Sequence, residues 1–159
     1  MTTSESLDWP PRFPVAVTIL LRGKNGFLQV RFHRRTLTAM CSSAVRAQET
    51  QREPYRLLLA ALGSSLVTTF RRVSDERGMQ THAIQLRLGS PNSGADADSG
   101  EIPLIVHGEL LVEGAADEST LAELFSQSQH QSTIGYLLAS HGCELKVWCR
   151  KQYFMPPVH

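Results

Sequence analysis

The sequence feature that most constrains the fold is a pair of apolar runs joined by a short glycine-containing turn. Residues 15–32 read VAVTILLRGKNGFLQVRF, in which β-branched and apolar residues flank the segment from Gly23 to Gly26. Glycine and asparagine adopt positive φ at little cost, so a tight turn between two such runs is typical of a β-hairpin. The pattern therefore predicts two antiparallel strands near the start of the chain.

The segment that follows is more helical in its spacing. Residues 54–62 place Leu58 and Leu62 on one apolar face, which predicts a helix that Gly63 ends. Residues 64–73 predict a second short helix, with a strand as the alternative. Residues 36–53 are mixed and polar, and they are compatible with a short helix or with a mobile segment.

A period-two pattern returns at residues 79–89, where Ile84, Leu86 and Leu88 alternate with polar residues. This alternation predicts a strand with one buried face, on which His82 would also lie. Residues 90–100 consist almost entirely of Gly, Asn, Asp, Ser, Ala and Pro, a composition that predicts a loop.

The C-terminal part predicts two short helices and a last strand. Residues 117–129 begin with a capping Asp117 or Ser119, residues 132–142 form a second apolar helix ending at Gly142, and residues 143–155 alternate like a strand. Strand pairs linked by helices without regular βαβ alternation indicate an α+β protein, with an antiparallel sheet and short helices packed on one side. We expect one such domain over residues 15–159, preceded by a flexible, proline-containing arm over residues 1–14.

The charge and composition of the chain limit the classes of partner that we expect it to bind. The net charge of +1 gives no overall field for nucleic acid or an anionic membrane, and no apolar run approaches the about 18 residues that a membrane span needs. We therefore expect a cytoplasmic protein without nucleic-acid or membrane partners. The three cysteines, Cys41, Cys143 and Cys149, show no CxxC spacing, which favours reduced structural thiols over disulfides or zinc ligands.

Two segments carry chemically useful side chains. Residues 100–114, GEIPLIVHGELLVEG, predict a strand, a turn at Gly108 and a second strand, so that His107 and Glu109 flank the turn. They would be either solvated turn residues or the rim of a small-molecule site, with one side chain facing inward.

The other segment is RFHRRT, in which Arg31, His33, Arg34 and Arg35 follow one another closely. Guanidinium groups bind carboxylate or phosphate in bidentate fashion, so the cluster could hold an anionic molecule. The alternative is a solvated strand edge that discourages aggregation. Arg71, beside Arg72, offers a weaker patch of the same kind.

Four stretches together resemble the chorismate lyase family: YRLLLAALGSSLVTTFRRV, GEIPLIVHGELLVEG, DESTLAELF and STIGYLL, which span residues 55–138. That resemblance implies the family's α+β fold and an enclosed pocket in which pyruvate is removed from chorismate. It departs from the family at two positions, because Gly100 stands where the family has a carboxylate-binding arginine and Gln152 stands where it has an acidic residue.

The resemblance therefore predicts a lyase of aromatic or secondary metabolism that acts on an aromatic or carboxylated intermediate. The alternative is a non-catalytic ligand-binding or partner protein that has lost the lyase residues. His107, Glu109 and Gln152 are the catalytic candidates, and the substrate-binding candidates are Arg71, Arg87, Arg31 and Arg34. We expect a small anionic or aromatic molecule as partner, with no cofactor and no metal, and the sequence leaves the oligomeric state open.

Overall fold

The computed structural model describes residues 13, 15–23, 27–33, 43–90 and 105–152. It contains five strands and three helices in the order β1 (Val15–Arg22), β2 (Phe27–Phe32), α1 (Ser43–Glu76), β3 (Thr81–Gly89), β4 (Ile105–Gly114), α2 (Glu118–Gln131), α3 (Thr133–Ser140) and β5 (Glu144–Lys151). No helix in the described part of the chain is long and apolar enough to cross a membrane.

The five strands form one sheet in the order β2-β1-β3-β4-β5. Neighbouring strands are antiparallel except for β4 and β5, which are parallel. A parallel pair needs a crossover connection, and α2 and α3 provide it between β4 and β5. The predicted α+β architecture with helices on one side of the sheet is confirmed, and the sheet is antiparallel as predicted except for the parallel pair of β4 and β5.

The sheet has a covered inner face and an outer face that no described helix covers. Alternate residues of β1, β3 and β4 are buried beneath the helices. The buried core from the sheet comprises Val17, Ile19, Leu21, Ile84, Leu86, Leu88, Val106, Leu110, Val112 and Cys149. The helices contribute Leu59, Leu62, Leu66, Val67, Phe70, Val73, Leu121, Leu124 and Phe125.

The two helices predicted over residues 54–73 are one continuous helix of 34 residues. Gly63 does not end it but lies buried inside it, against the sheet. A Cβ atom at this position would lie 2.6 Å from Cγ1 of Ile19 and 3.2 Å from Cδ1 of Leu88. Glycine is therefore needed for close approach of helix and sheet, and its known tendency to end helices misled the prediction.

The hairpin predicted at residues 100–114 is also wrong, because residues 105–114 form the single strand β4 without a turn. Gly108 is buried at mid-strand, where a Cβ atom would lie 2.9 Å from both Cδ2 of Leu88 and Cγ2 of Val147. Since residues two apart in a strand share a face, His107 and Glu109 both point to the outer face. The expectation that one of them faces inward is not met.

His82 was expected on the buried side of β3, but it is exposed while Thr81 is buried. The pairing of β3 with β4 shifts register between Thr81 and Ala83. Such an irregularity reverses the alternation locally, which is why the period-two pattern of the sequence assigned His82 to the wrong face.

Of the remaining predictions, some concern described residues and others concern residues outside the described ranges. The first hairpin is confirmed, as are α2 with its Asp117 cap, α3 before Gly142, and β5. The loop predicted at residues 90–100 lies outside the described residues except for Ser90, and the arm predicted at residues 1–14 does so except for Phe13. From residue 43 the segment at residues 36–53 belongs to α1.

The contact at Gly63 gives a stability prediction. We expect Gly63→Val to lower the free energy of unfolding by about 1–3 kcal/mol, because the added methyl groups overpack the space beside Ile19 and Leu88. The control is Ala61→Val on the exposed side of the same helix, which loses at most about 0.7 kcal/mol from helix propensity. Urea unfolding measures both variants, and equal losses would contradict the close contact.

Candidate functional site

A row of five side chains crosses the outer face, one from each strand, and we call it the central row. Arg31 lies opposite Thr18, and Thr18 lies opposite Arg87 on its other side. Arg87 lies opposite Glu109, and Glu109 lies opposite Trp148. Three of the residues predicted for the site from the sequence are therefore brought together by strand register.

At one end of this row the side chains Arg31, His33 and Arg87 form a group that we call the cation cluster. The hydroxyl of Thr18 lies 2.6 Å from Nε2 of His33 and fixes the imidazole ring next to the two guanidinium groups. Burial lowers the pKa of His33, and the positive charges of Arg31 and Arg87 lower it further. The cluster therefore combines two permanent cations with an imidazole that resists protonation.

An ion pair partly balances this charge. Nη1 of Arg87 lies 3.8 Å from Oε2 of Glu109, whose side chain is only 12% exposed while that of Arg87 is 42% exposed. A pair of this length at a partly exposed site contributes about 0–1 kcal/mol. One carboxylate faces two arginines, so the cation cluster keeps a net positive charge that can attract a carboxylate or phosphate.

Next to the central row lies an aromatic cluster of Phe13, His107 and Trp148. The ring centroids of His107 and Trp148 are 5.1 Å apart at an interplanar angle of 86°, and those of Phe13 and His107 are 6.0 Å apart at 85°. Such edge-to-face pairs stabilise one another and give an outer-face surface that is both apolar and polarisable. Burial and Lys146 lower the pKa of His107, while Glu144 opposes them.

The other candidates do not join this group. Gln152 is exposed beyond the end of β5, and its backbone N–H donates to the carbonyl of Val112 at 2.8 Å. Since Lys146 is the residue opposite His107, Gln152 lies six residues further along, roughly 20 Å away. The three predicted catalytic residues therefore do not share a reaction centre.

Arg71 lies on α1, in the helical layer on the inner side of the sheet. Its Nη1 atom is buried without a hydrogen-bond partner among the described residues. It is separated from Arg31 and Arg87 by the thickness of the sheet, so it cannot act with them. Arg34 lies outside the described residues.

A cleft of about 190 Å³ opens between the helices and the start of β5. Its walls are Leu62, Gln129, His130, Gly135, Tyr136, Leu138, Ala139, Cys143 and Leu145. None of the six candidate residues that the structure describes lines this cleft. The chemistry predicted from the sequence therefore lies on an open surface and not in this cavity.

The described cysteines are Cys143 and Cys149, and both are thiols. Burial raises the pKa of Cys143. Burial also raises the pKa of Cys149 to about 12, and the negative charge of Glu118 contributes to the increase. Neither environment favours the thiolate, which is the reactive form. Within the described ranges, no group of three or more His, Cys, Asp or Glu residues could hold a metal ion.

Two functional candidates, Thr18 and Trp148, were missed from the sequence. The alternation of β5 indicates that Lys146, Trp148 and Arg150 share a face, so the signal for Trp148 was present. What the sequence does not show is that β5 lies beside β4 in parallel, with Trp148 opposite Glu109.

Comparison of the fold with solved structures finds two similar chains. The OsmC like protein from Mycoplasma pneumoniae superposes with a TM-score of 0.54 at 9% identity, over 91% of this chain and 99% of that one. The organic hydroperoxide resistance protein OhrB of Bacillus subtilis superposes with a TM-score of 0.41 at 14% identity, over 88% and 98% of the two chains. No protein-family model and no curated protein matches the sequence.

The first of these similarities shows a shared fold, and it corrects the resemblance to chorismate lyases. The expected lyase activity is therefore wrong, and so is its alternative, a non-catalytic ligand-binding or partner protein that keeps the chorismate lyase fold and has lost the lyase residues. Two of the stretches that suggested the resemblance have other structures, since YRLLLAALGSSLVTTFRRV is part of one helix and residues 105–114 are one strand. The resemblance depends on a helix break at Gly63 and a turn at Gly108, and the structure has neither.

The histidine environments predict a pH dependence. Because the folded-state pKa of His107 lies below the ordinary 6.5, the unfolded chain takes up the proton first on acidification. The free energy of unfolding should therefore be highest above pH 6.5 and fall as the pH decreases through the folded-state pKa. His107→Gln should flatten this fall, as measured by urea unfolding between pH 5 and 8. An NMR-measured pKa at or above 6.5 for His107 would contradict the assignment.

The cysteine environments predict slow alkylation. In a Cys41→Ser background at pH 8, Cys149 should react about a thousandfold more slowly than an unstructured thiol, because so little thiolate is present. Cys143 should react faster than Cys149 and more slowly than the same thiols in urea. Mass spectrometry after timed iodoacetamide treatment measures both rates. Rapid modification of Cys149 in the folded protein would show that its environment stabilises the thiolate.

Proposed function

We propose that this protein is an interaction domain whose outer face binds an acidic segment of another protein at the cation cluster. The observation that supports the proposal is the central row, which places Arg31 and Arg87 on either side of Thr18 on a face that no described helix covers. Guanidinium groups placed this way present several donors to carboxylates.

The shape of the surface favours a macromolecular partner. Sites for small molecules are concave and mostly apolar, whereas the central row lies across an open sheet. Tryptophan and arginine are also enriched among the residues that dominate protein-protein binding energy. Trp148 on β5 and Arg87 on β3 therefore provide anchors of the expected kind, and only β4 lies between them.

The distribution of charge favours protein over nucleic acid. On β1, β2 and β3 the charged outer-face residues are Arg22, Arg31 and Arg87, whereas those on the outer face of β4 are only the acids Glu109 and Glu113 and those of β5 are mixed, with Glu144, Lys146 and Arg150. A polyphosphate chain crossing the sheet would be repelled by these carboxylates. A short acidic segment placed at the β1–β2 end gains the attraction without that repulsion.

The small anionic or aromatic partner expected from the sequence stays a prediction. In this proposal its carboxylate would compete with the acidic segment for Arg31 and Arg87. We also propose the cytoplasm as the compartment, because Cys143 and Cys149 are thiols and the sequence contains no disulfide framework.

The proposal predicts charge-dependent binding of a labelled decaglutamate peptide, measured by fluorescence anisotropy at low salt. Arg31→Gln and Arg87→Gln should each weaken binding about three- to tenfold, since each removes one guanidinium from the cluster. Added salt should weaken binding by the parent protein, because exposed charges are screened.

The matched control is Arg72→Gln, which removes an exposed arginine of α1 that pairs with Glu76 at 3.0 Å. This variant keeps the outer face intact and should bind like the parent. Equal losses in all three variants would show that binding follows total charge, and unchanged binding in the Arg31 and Arg87 variants would refute the proposed site.

A further inference from the structure

Strand β2 lies at an edge of the sheet, and among the described residues only β1 pairs with it. The hydrogen-bond pattern shows which backbone N–H and C=O groups of β2 bond to β1. The N–H of His33 donates to the carbonyl of Ala16, directly opposite, at 2.9 Å. Bonded and non-bonded pairs alternate along an antiparallel ladder. The backbone groups of Leu28, Val30 and Phe32 therefore point away from β1, toward the open edge.

The two faces of β2 carry different kinds of side chain. On the inner side, Leu28 and Phe32 are 37% and 38% exposed, because α1 packs chiefly over β1 and β3. Among the strand side chains whose burial the structure describes, they are the only exposed large apolar ones. On the outer side, Gln29 and Arg31 stand at the margin of the cation cluster. An added strand would thus meet apolar groups on one face and cations on the other.

We infer that β2 is the docking strand for an extended segment of the partner protein, which joins the sheet as a sixth strand. This inference rests on the proposed function and specifies the partner's chemistry, a segment in which apolar and acidic residues alternate. Its main chain would bond to Leu28, Val30 and Phe32, as in other cases of strand addition. Its apolar side chains would cover Leu28 and Phe32, and its carboxylates would lie beside Arg31.

A second copy of this chain is a poorer occupant of the same edge. Pairing of two β2 strands would bring both copies of Arg31 and the cation cluster to the same outer face. Like charges on neighbouring strands destabilise the pairing. The other edge strand, β5, also differs from β2, because Glu144 and Lys146 are exposed on its outer side and α2 covers its inner side. Charged residues of this kind discourage strand addition.

The test uses the full chain labelled with ¹⁵N and a synthetic peptide of alternating valine and glutamate. Binding should shift the amide signals of β2 most strongly and slow the hydrogen exchange of Leu28, Val30 and Phe32. Val30→Pro removes an N–H that β1 does not use, and proline is tolerated at such edge positions. It should weaken peptide binding at least about tenfold, the equivalent of one main-chain hydrogen bond.

A second measurement leaves the protein unchanged, in case the proline variant does not fold. Two peptides are N-methylated, each on one alternate set of amides, so that they have equal composition. N-methylation should weaken binding only where the methylated amides face β2. The two peptides should therefore differ at least about tenfold in affinity. Equal affinities, or signal shifts that are larger outside β2 than within it, would overturn the inference.

The outcomes separate this inference from the proposed function. If decaglutamate binds through Arg31 and Arg87 but Val30→Pro and N-methylation have no effect, the cation cluster stands and strand addition is wrong. If the alternating peptide docks on β2 and charge variants of the cluster have no effect, the proposed recognition of acidic residues fails. Protected amides at Leu28, Val30 and Phe32 in the free protein would show that the edge is already paired, and would also overturn the inference.

Discussion

The close contact between α1 and the inner face of the sheet at Gly63 is the constraint on which the rest of the structure depends. Without a side chain at this position, the helix comes near enough for Leu59, Leu62 and Leu66 to be buried against the sheet. A single helix of 34 residues covers β1 and β3 in this way, and α2 extends the cover to β5. Because the described helices all pack on one side, the alternate residues of the strands, including Arg31, Arg87 and Glu109, remain on the outer face.

The second determinant is the parallel pairing of β5 with β4. The crossover through α2 and α3 is held against α1 by hydrogen bonding between the hydroxyls of Ser65 and Ser132, 2.8 Å apart, and by the packing of Phe70 on Phe125. It returns the chain to the far side of β4, where β5 pairs with β4 in parallel. Trp148 consequently lies opposite Glu109 and in contact with His107, and the central row reaches across the whole sheet.

The strands were readable from the sequence because their alternation is a local property. The spacing of Val17, Ile19 and Leu21, or of Ile84, Leu86 and Leu88, reports one buried face whatever the neighbouring strand is. The errors occurred at Gly63 and Gly108, since glycine serves equally as a breaker and as a position of close contact. Only the neighbours Ile19, Leu88 and Val147 distinguish the two roles, and these come from distant parts of the chain. Contacts between distant parts of the chain also limit how much of the site the sequence predicts. Arg31, Arg87 and Glu109 could be named as candidates, but strand order decides that they form a row and that Gln152 and Arg71 stay apart.

The shared backbone with an OsmC like protein does not by itself carry chemistry to this chain, because function resides in side chains placed on a fold. The described thiols show the difference. Cys149 lies on the buried side of β5, where the core and the carboxylate of Glu118 both disfavour a thiolate, so it behaves as a small apolar core residue. The outer face has the opposite character, since Arg31 and Arg87 keep their charge at the surface and a single carboxylate opposes them. Burial therefore assigns the two faces different tasks. The inner face uses Cys149 and its neighbours for packing, and the outer face holds the arginines on which the proposed function depends.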